Sequence, residues 1–136
     1  MTVKLKSSDF ELISEHAKKG LPNEACGLIA GSKSGSDIIV EKVYLLNNPD
    51  KSPRHFSIDP KEHLDAVKDM RKNGYRPLGN FHSHPESPAR PSEEDIRLAF
   101  DPSAVYLIVS LLDTSPVIKA FKIENSAVES AELVLL

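Results

Sequence analysis

The tripeptide His82-Ser83-His84 sets the tightest limit on what this chain can fold into. Side chains alternate faces along a β-strand with period two, so an extended segment puts both imidazoles on one side. Their Cα atoms then lie roughly 7 Å apart, a gap that two imidazole side chains can close on one ion. Pro85 and a proline-rich loop follow, and Ser92-Glu93-Glu94-Asp95 has the form of a helix entrance. The stretch therefore predicts a strand, a tight loop and a helix start that carries Asp95 back towards the histidines. Two imidazoles and one carboxylate make a three-ligand set for a transition metal, most often zinc, with a fourth position left for water. Water activated in that way is the reagent of hydrolysis.

Each piece has a plainer reading. A lone His-x-His is a weak signal, because strand histidines are more often ordinary polar or half-buried residues. Ser92 and Asp95 fit a capping box, in which the serine caps a backbone N–H and the acid reaches back. The two roles are compatible, since a capped helix start fixes the direction of Asp95. The metal reading rests on the pair, Pro85, the tight loop and the serine and acid taken together.

At 136 residues the chain is long enough to bury a sizeable core and short enough for a single domain spanning 1–136. Charged residues at 27% and hydrophobic residues at 40% fit a soluble globular protein. A formal charge of -3 and a pI near 5.9 argue against a nucleic-acid partner, and the Lys18-Lys19 and Arg71-Lys72 pairs read as solvated helix ends. Cys26 is the sole cysteine, so no intramolecular disulfide forms and a reducing compartment is the simplest expectation. The segment Met1–Lys6 has no apolar run behind it, as a signal peptide needs. Val105–Leu112, the longest apolar stretch, is far too short to span a bilayer. These features predict a cytoplasmic protein without a membrane partner.

Ser7 or Ser8 is expected to cap a first helix with Phe10, Ile13 and Ala17 on its inner face, stopped by Gly20 and Pro22. Cys26–Ala30 and Ile38–Leu46 read as strands around a Ser/Gly turn, and His55–Ile58 as a brief third strand. Asp59-Pro60-Lys61-Glu62 opens a second helix with cap, proline and capping box, and Gly74 closes it. Leu64, Val67 and Met70 or Arg71 mark its expected inner stripe. Leu78–His84 is the histidine strand, and Ser92 starts a helix running to Phe100. Val105–Leu112 and Val117–Ile123 are strands, and the tail from Val128 reads as a last edge strand. The sum is one α/β domain with a mixed or largely antiparallel sheet and helices packed on it.

A hydrolase of this kind needs a base for the water proton. Glu24 stands at the entrance of the first apolar strand, in Pro22-Asn23-Glu24-Ala25-Cys26-Gly27. Spacing alone cannot bring it to the metal, and a solvated loop carboxylate is the simpler reading. Cys26 fits a small buried hydrophobe, and Phe81 and Phe100 fit the core. His16 and His63 fall on helix surfaces, and Arg54 and His55 fit solvent. Glu86 and Arg90 border the metal loop.

The run Pro22 to Gly31, with His82-Ser83-His84-Pro85 and Ser92-x-x-Asp95, resembles the JAMM (MPN-plus) metalloprotease family. Phe56–Pro60, Gly79 and Ala104–Ser110 extend the likeness over nearly the whole chain, which is similar to the compact, insertion-free prokaryotic members. The resemblance implies a single MPN-like domain of the cytidine-deaminase-like α/β type. It implies that His82, His84 and Asp95 hold one zinc ion with a bound water. It also implies that Glu24 is the catalytic base and that Ser92 stabilises the oxyanion. The implied activity is cleavage of a peptide or isopeptide bond after the C-terminal Gly-Gly of a ubiquitin-like or sulfur-carrier protein, whose tail can lie in a groove as an added strand. Related MPN domains act as non-catalytic scaffolds or ubiquitin-like-binding modules, but those lack the ligand set retained here. A purely structural zinc site is disfavoured because such sites are usually closed by four protein ligands. Asn80 departs from the bulky residue expected two positions before His82.

Overall fold

Val3 and Leu5 alternate with Lys4 and Lys6, and this short alternation begins the fold. Both apolar side chains are fully buried in β1 (Thr2–Leu5). A computed structural model describes every residue from Met1 to Leu136. β1 leads into helix α1 (Ser7–Gly20), which buries Ile13 and Ala17. The start of α1 differs from the expected serine cap. Lys6 occupies the cap position, and the Ser7 N–H and hydroxyl both donate to the Leu136 carbonyl, at 3.0 and 2.9 Å. The C-terminal end of the chain therefore takes the donors that a local cap would have used.

β2 (Cys26–Ser34) and β3 (Asp37–Leu46) form a hairpin around Gly35, whose φ of 62° suits the turn. Helix α2 (Pro60–Asn73) starts as its sequence demands: Asp59 accepts the Glu62 N–H at 3.0 Å, and Gly74 closes it in the left-handed conformation. Its inner stripe is Ala66 and Met70, whereas Leu64 is turned outward. Then come β4 (Arg76–His84), the short helix α3 (Glu93–Arg97), β5 (Val105–Ser110), β6 (Val117–Glu124) and β7 (Ala127–Leu135).

The strands close into a barrel in the order β1-β3-β2-β4-β5-β6-β7. Ladders β2–β3, β2–β4, β5–β6 and β6–β7 are antiparallel, and β1–β3, β4–β5 and β1–β7 are parallel, so the sheet is mixed as expected. The tail is not an edge strand. Glu132 to Leu135 pair with Thr2 to Leu5 and close the barrel, which removes the exposed edge that either strand alone would present.

Strand alternation divides the apolar residues into a main core and two smaller clusters, the smallest being Ala89, Ile108 and Phe121. Ile29, Phe81, Leu107 and Val109 belong to the main core, together with Ile13 and Ala17 of α1. Cys26, Leu28 and Ala30 leave the other face of β2 and pack under Ala66 and Met70 of α2. His82 and His84 leave β4 on this second face.

Two further expectations are corrected. Residues 55–58 are not a strand; the Asn48 side chain donates to the His55 carbonyl and accepts the Ser57 N–H, replacing a ladder with side-chain bonds. α3 ends at Arg97, so Phe100 falls beyond it and is 82% exposed rather than core.

Candidate metal and catalytic site

The β2–β4 register brings the two halves of the site together. Cys26 pairs with His82. One step further, the Ser83 N–H donates to the Ala25 carbonyl at 2.9 Å, and the Ala25 N–H donates to the Ser83 hydroxyl at 2.7 Å. Glu24, the next residue back, lines a groove with His84. The loop after β3 clamps the same point: the Glu24 N–H donates to the Ser52 carbonyl at 2.8 Å, and Asn48 donates to the Glu24 carbonyl at 3.0 Å. Sequence spacing could not reveal this approach, which depends on long-range strand pairing. Glu24 is only 6% exposed, so the reading as a solvated carboxylate is excluded.

His82, His84 and Asp95 converge as their spacing predicts. Asp95 Oδ2 lies 3.0 Å from His82 Nε2 and 3.1 Å from His84 Nε2, and the two nitrogens are 3.1 Å apart. The capping box also forms: Asp95 N–H donates to the Ser92 hydroxyl at 3.0 Å, and Ser92 N–H donates to Asp95 Oδ2 at 2.9 Å. Cap and convergence thus use the same helix start.

This donor set fits a divalent metal on chemical grounds. His84 Nδ1 lies 2.9 Å from the Pro88 carbonyl, a bond that needs a proton on Nδ1. In the neutral ring Nε2 is then a bare lone pair, directed at a carboxylate and at a second imidazole nitrogen. Three facing acceptors repel one another unless a proton or a cation lies among them. The ligand atoms lie within 4.8 Å of one another, and no other His, Cys, Asp or Glu group is so arranged.

Electrostatics follow the same geometry. Burial opposes ionisation of Asp95, yet hydrogen bonds from His82, His84 and the Ser92 N–H hold its carboxyl well below the usual carboxylate range. Burial likewise opposes charging of His84, but Asp95 and the Pro88 carbonyl outweigh it and raise its pKa. Glu24 is pushed up to about 8 by burial, opposed by the nearby His84. No donor in the chain bonds its carboxylate, which leaves it open to the cleft. Burial pushes the Cys26 thiol up to about 12, in keeping with its role as a packed hydrophobe.

A cleft of about 250 Å³ adjoins these groups, lined by Glu24, His82, Asp95, Phe56, Leu98 and Tyr106 among others. Ser92 lines an adjoining groove beside Glu24 and His84. Several contributors carried no readable signal in the sequence. Phe56 stacks on the His82 ring with centroids 4.7 Å apart and planes 20° apart. Pro88 orients His84 only because the loop folds back. Asn48 sits in a turn-forming Asn-Asn-Pro-Asp run, which predicts a loop but not its contact with Glu24. His16 differs from its expected surface position, whereas His55 stays at the surface with its side chain 41% exposed. His16 Nε2 is 3.0 Å from the Cys26 carbonyl and 2.8 Å from the Leu46 carbonyl, tying α1 to the paired strand ends. His55 bridges Asp50 at 2.8 Å and Glu94, and the Glu94 bond raises its pKa. His63 is exposed as predicted.

The fold and the site define a protein of the JAB/MPN class. Residues 6–124 match the family of prokaryotic homologs of the JAB domain, and the chain belongs to that family. It is 37% identical over 98 residues to a CysO-cysteine peptidase of Mycobacterium tuberculosis, a match covering 72% of this chain and 66% of that protein, just under two thirds of its length. It is 33% identical over 103 residues to a desampylase of Haloferax volcanii, covering 72% of this chain and 73% of the relative. The solution structure of a Desulfitobacterium hafniense protein superposes with a TM-score of 0.91 at 55% identity, over 100% of this chain and 93% of that one. A JAB1/MPN domain protein of Archaeoglobus fulgidus shares the fold, with a TM-score of 0.60 at 24% identity over 98% of this chain and 99% of the other. No helix of the chain is long and apolar enough to cross a membrane.

Proposed function

We propose that the protein is a zinc-dependent hydrolase that cuts the peptide or isopeptide bond after the C-terminal Gly-Gly of a ubiquitin-like or sulfur-carrier protein. The observation that carries this reading is the buried Glu24 lining the same cleft and groove as the converged His82, His84 and Asp95. His82, His84 and Asp95 would hold the ion. When bound, zinc supplies Lewis acidity that brings the pKa of water from 15.7 towards about 7.

The chain's own groups account for the remaining steps. Glu24 takes the proton of the attacking water as its oxygen bonds to the scissile carbonyl carbon. The same carboxyl then returns that proton to the nitrogen as the C–N bond breaks. A cation at the histidine site would lower the Glu24 pKa and so favour the ionised base near neutral pH. Ser92 accepts the Asp95 N–H through its oxygen, which keeps its own O–H free to donate to the carbonyl oxygen as charge develops.

The substrate class rests on similarity to the CysO-cysteine peptidase and the desampylase, and on the form of the cleft. The backbones of Phe56 and Ile58 take part in no hydrogen bond within the chain, and both residues line the cleft. An extended Gly-Gly tail, which has no side chains to obstruct it, could satisfy those groups as an added strand.

The test measures zinc content of wild type and Glu24→Gln, and cleavage of a sulfur-carrier fusion joined through Gly-Gly. Equimolar zinc in both, with chelator-sensitive cleavage by wild type alone, is the expected result. Zinc in both without cleavage overturns the substrate class. Failure of both to take up zinc overturns the metal site.

A further inference from the structure

His82 and His84 reach the same Asp95 oxygen but are held differently from behind. The His84 Nδ1–H donates to the Pro88 carbonyl at 2.9 Å, which fixes both ring and tautomer. His82 Nδ1 is buried and has no hydrogen-bond partner. Stacking on Phe56 sets the plane of its ring, but stacking does not select which nitrogen carries the proton. A buried N–H left without an acceptor loses its hydration with nothing in return, so the site favours any geometry that supplies one.

A matching atom lies two positions back on the same strand. Asn80 Oδ1 is also buried and also without a partner. The other such atoms, Asp9 Oδ2 and Ser14 Oγ, belong to α1. Asn80 and His82 leave the same face of β4 and line the same cleft. With Nε2 kept unprotonated for a metal, His82 Nδ1–H is a donor lacking an acceptor, and Asn80 Oδ1 is an acceptor lacking a donor. The cross-strand neighbours of Asn80 do not compete. Leu28 is apolar, and the Tyr106 hydroxyl donates to the Asp101 carbonyl at 3.3 Å.

We infer that Asn80 is a positioning residue for His82: its carboxamide oxygen accepts the Nδ1–H, directly or through one water molecule, and so reserves Nε2 for the metal. The inference rests on the zinc reading above. It also gives a role to a position where the sequence departs from the resembled family.

The test compares wild type, Asn80→Ala, Asn80→Asp and His82→Ala as zinc-loaded full-length proteins. Zinc affinity is measured by competition with a chelator, and the His82 tautomer by ¹⁵N resonances of the imidazole. Asn80→Ala should weaken zinc about 10–100-fold, the range typical of lost outer partners of metal ligands. It should also shift or broaden the His82 Nδ1 resonance. Asn80→Asp, which keeps an acceptor, should restore both. If Asn80→Ala leaves affinity and resonance unchanged while His82→Ala loses zinc, the positioning role is wrong and the metal site stands. If His82→Ala binds zinc like wild type, the metal reading itself fails. A change in KM alone for Asn80→Ala would make Asn80 a substrate contact and overturn the inference.

Discussion

Glu24 and His84 line one groove, each the next residue beyond the Ala25–Ser83 pair that ties the entrance of β2 to the end of β4. An acid and a candidate ligand sixty positions apart in the chain thus meet in one groove. The meeting is held by the Ser83 hydroxyl below and by Asn48 and Ser52 above.

From this relationship, Glu24→Gln should keep zinc and lose turnover by about 10²–10⁴-fold, the range for a positioned general base. Steady-state cleavage beside metal analysis checks it. Near-wild-type turnover would remove Glu24 as the base.

Ser92 has two roles at one oxygen, so its loss should register twice. Ser92→Ala should reduce kcat about 10²–10³-fold through the missing donor and destabilise the protein by about 1 kcal/mol through the missing cap. Ser92→Asp supplies a cap without a hydroxyl donor and should recover stability but not rate. Recovery of rate by Asp would contradict the oxyanion role.

His84→Ala and Asp95→Ala should lose zinc and activity together, because each leaves two ligands where three converged. In the metal-free chain Asp95 and the Pro88 carbonyl raise the His84 pKa, so protons compete with zinc for Nε2 as the pH falls. Zinc affinity measured from pH 8 down to 5 should therefore weaken, the fall setting in above the ordinary histidine value of about 6.5. A flat profile would exclude imidazole ligation.

Glu24 also governs stability in the metal-free state. Burial lifts its carboxyl from 4.5 to about 8, so the folded protein binds this proton more tightly than the unfolded chain. That contribution is complete below about pH 4.5 and is lost as pH rises through about 8. Metal-free Glu24→Gln should gain roughly 2–4 kcal/mol over metal-free wild type between pH 4 and pH 8.5. Urea melts at the two pH values measure the gain, and an equal difference at both would refute it.

Gly27 lies where no side chain fits. A Cβ there would stand 2.1 Å from the Phe81 ring and 2.2 Å from the Tyr44 carbonyl oxygen. Gly27→Ala should cost about 2–3 kcal/mol through overpacking, lowering Tm by about 10 °C. A thermal melt within 2 °C of wild type would contradict the packing described, that figure being about half a kcal/mol.

Local chemistry settles some of this protein outright. Asp59, Pro60 and Gly74 bound α2 within their own neighbourhood, and His82-Ser83-His84 puts both imidazoles on one face through strand alternation alone. Ser92 and Asp95 form their box because they lie three positions apart. These features follow from dihedral preferences and periodicity, which operate over a few residues. Resemblance to a family, rather than any local rule, brought Glu24 to the site in advance.

Elsewhere the deciding contacts are distant in sequence. The pairing of β7 with β1 turned an expected edge strand into the closing strand of a barrel, and took the Ser7 donors from a local cap. Asn48 converted 55–58 from a strand into a bonded loop, while Phe56 and Pro88 became supports of the two histidines. Phe100 lost its predicted burial once α3 ended at Arg97. Hydrophobic pattern can say that a residue prefers to be buried, but the partner that buries or bonds it is set by strand register and loop closure. Those depend on the free energy of the whole packed chain, which no short window of residues contains.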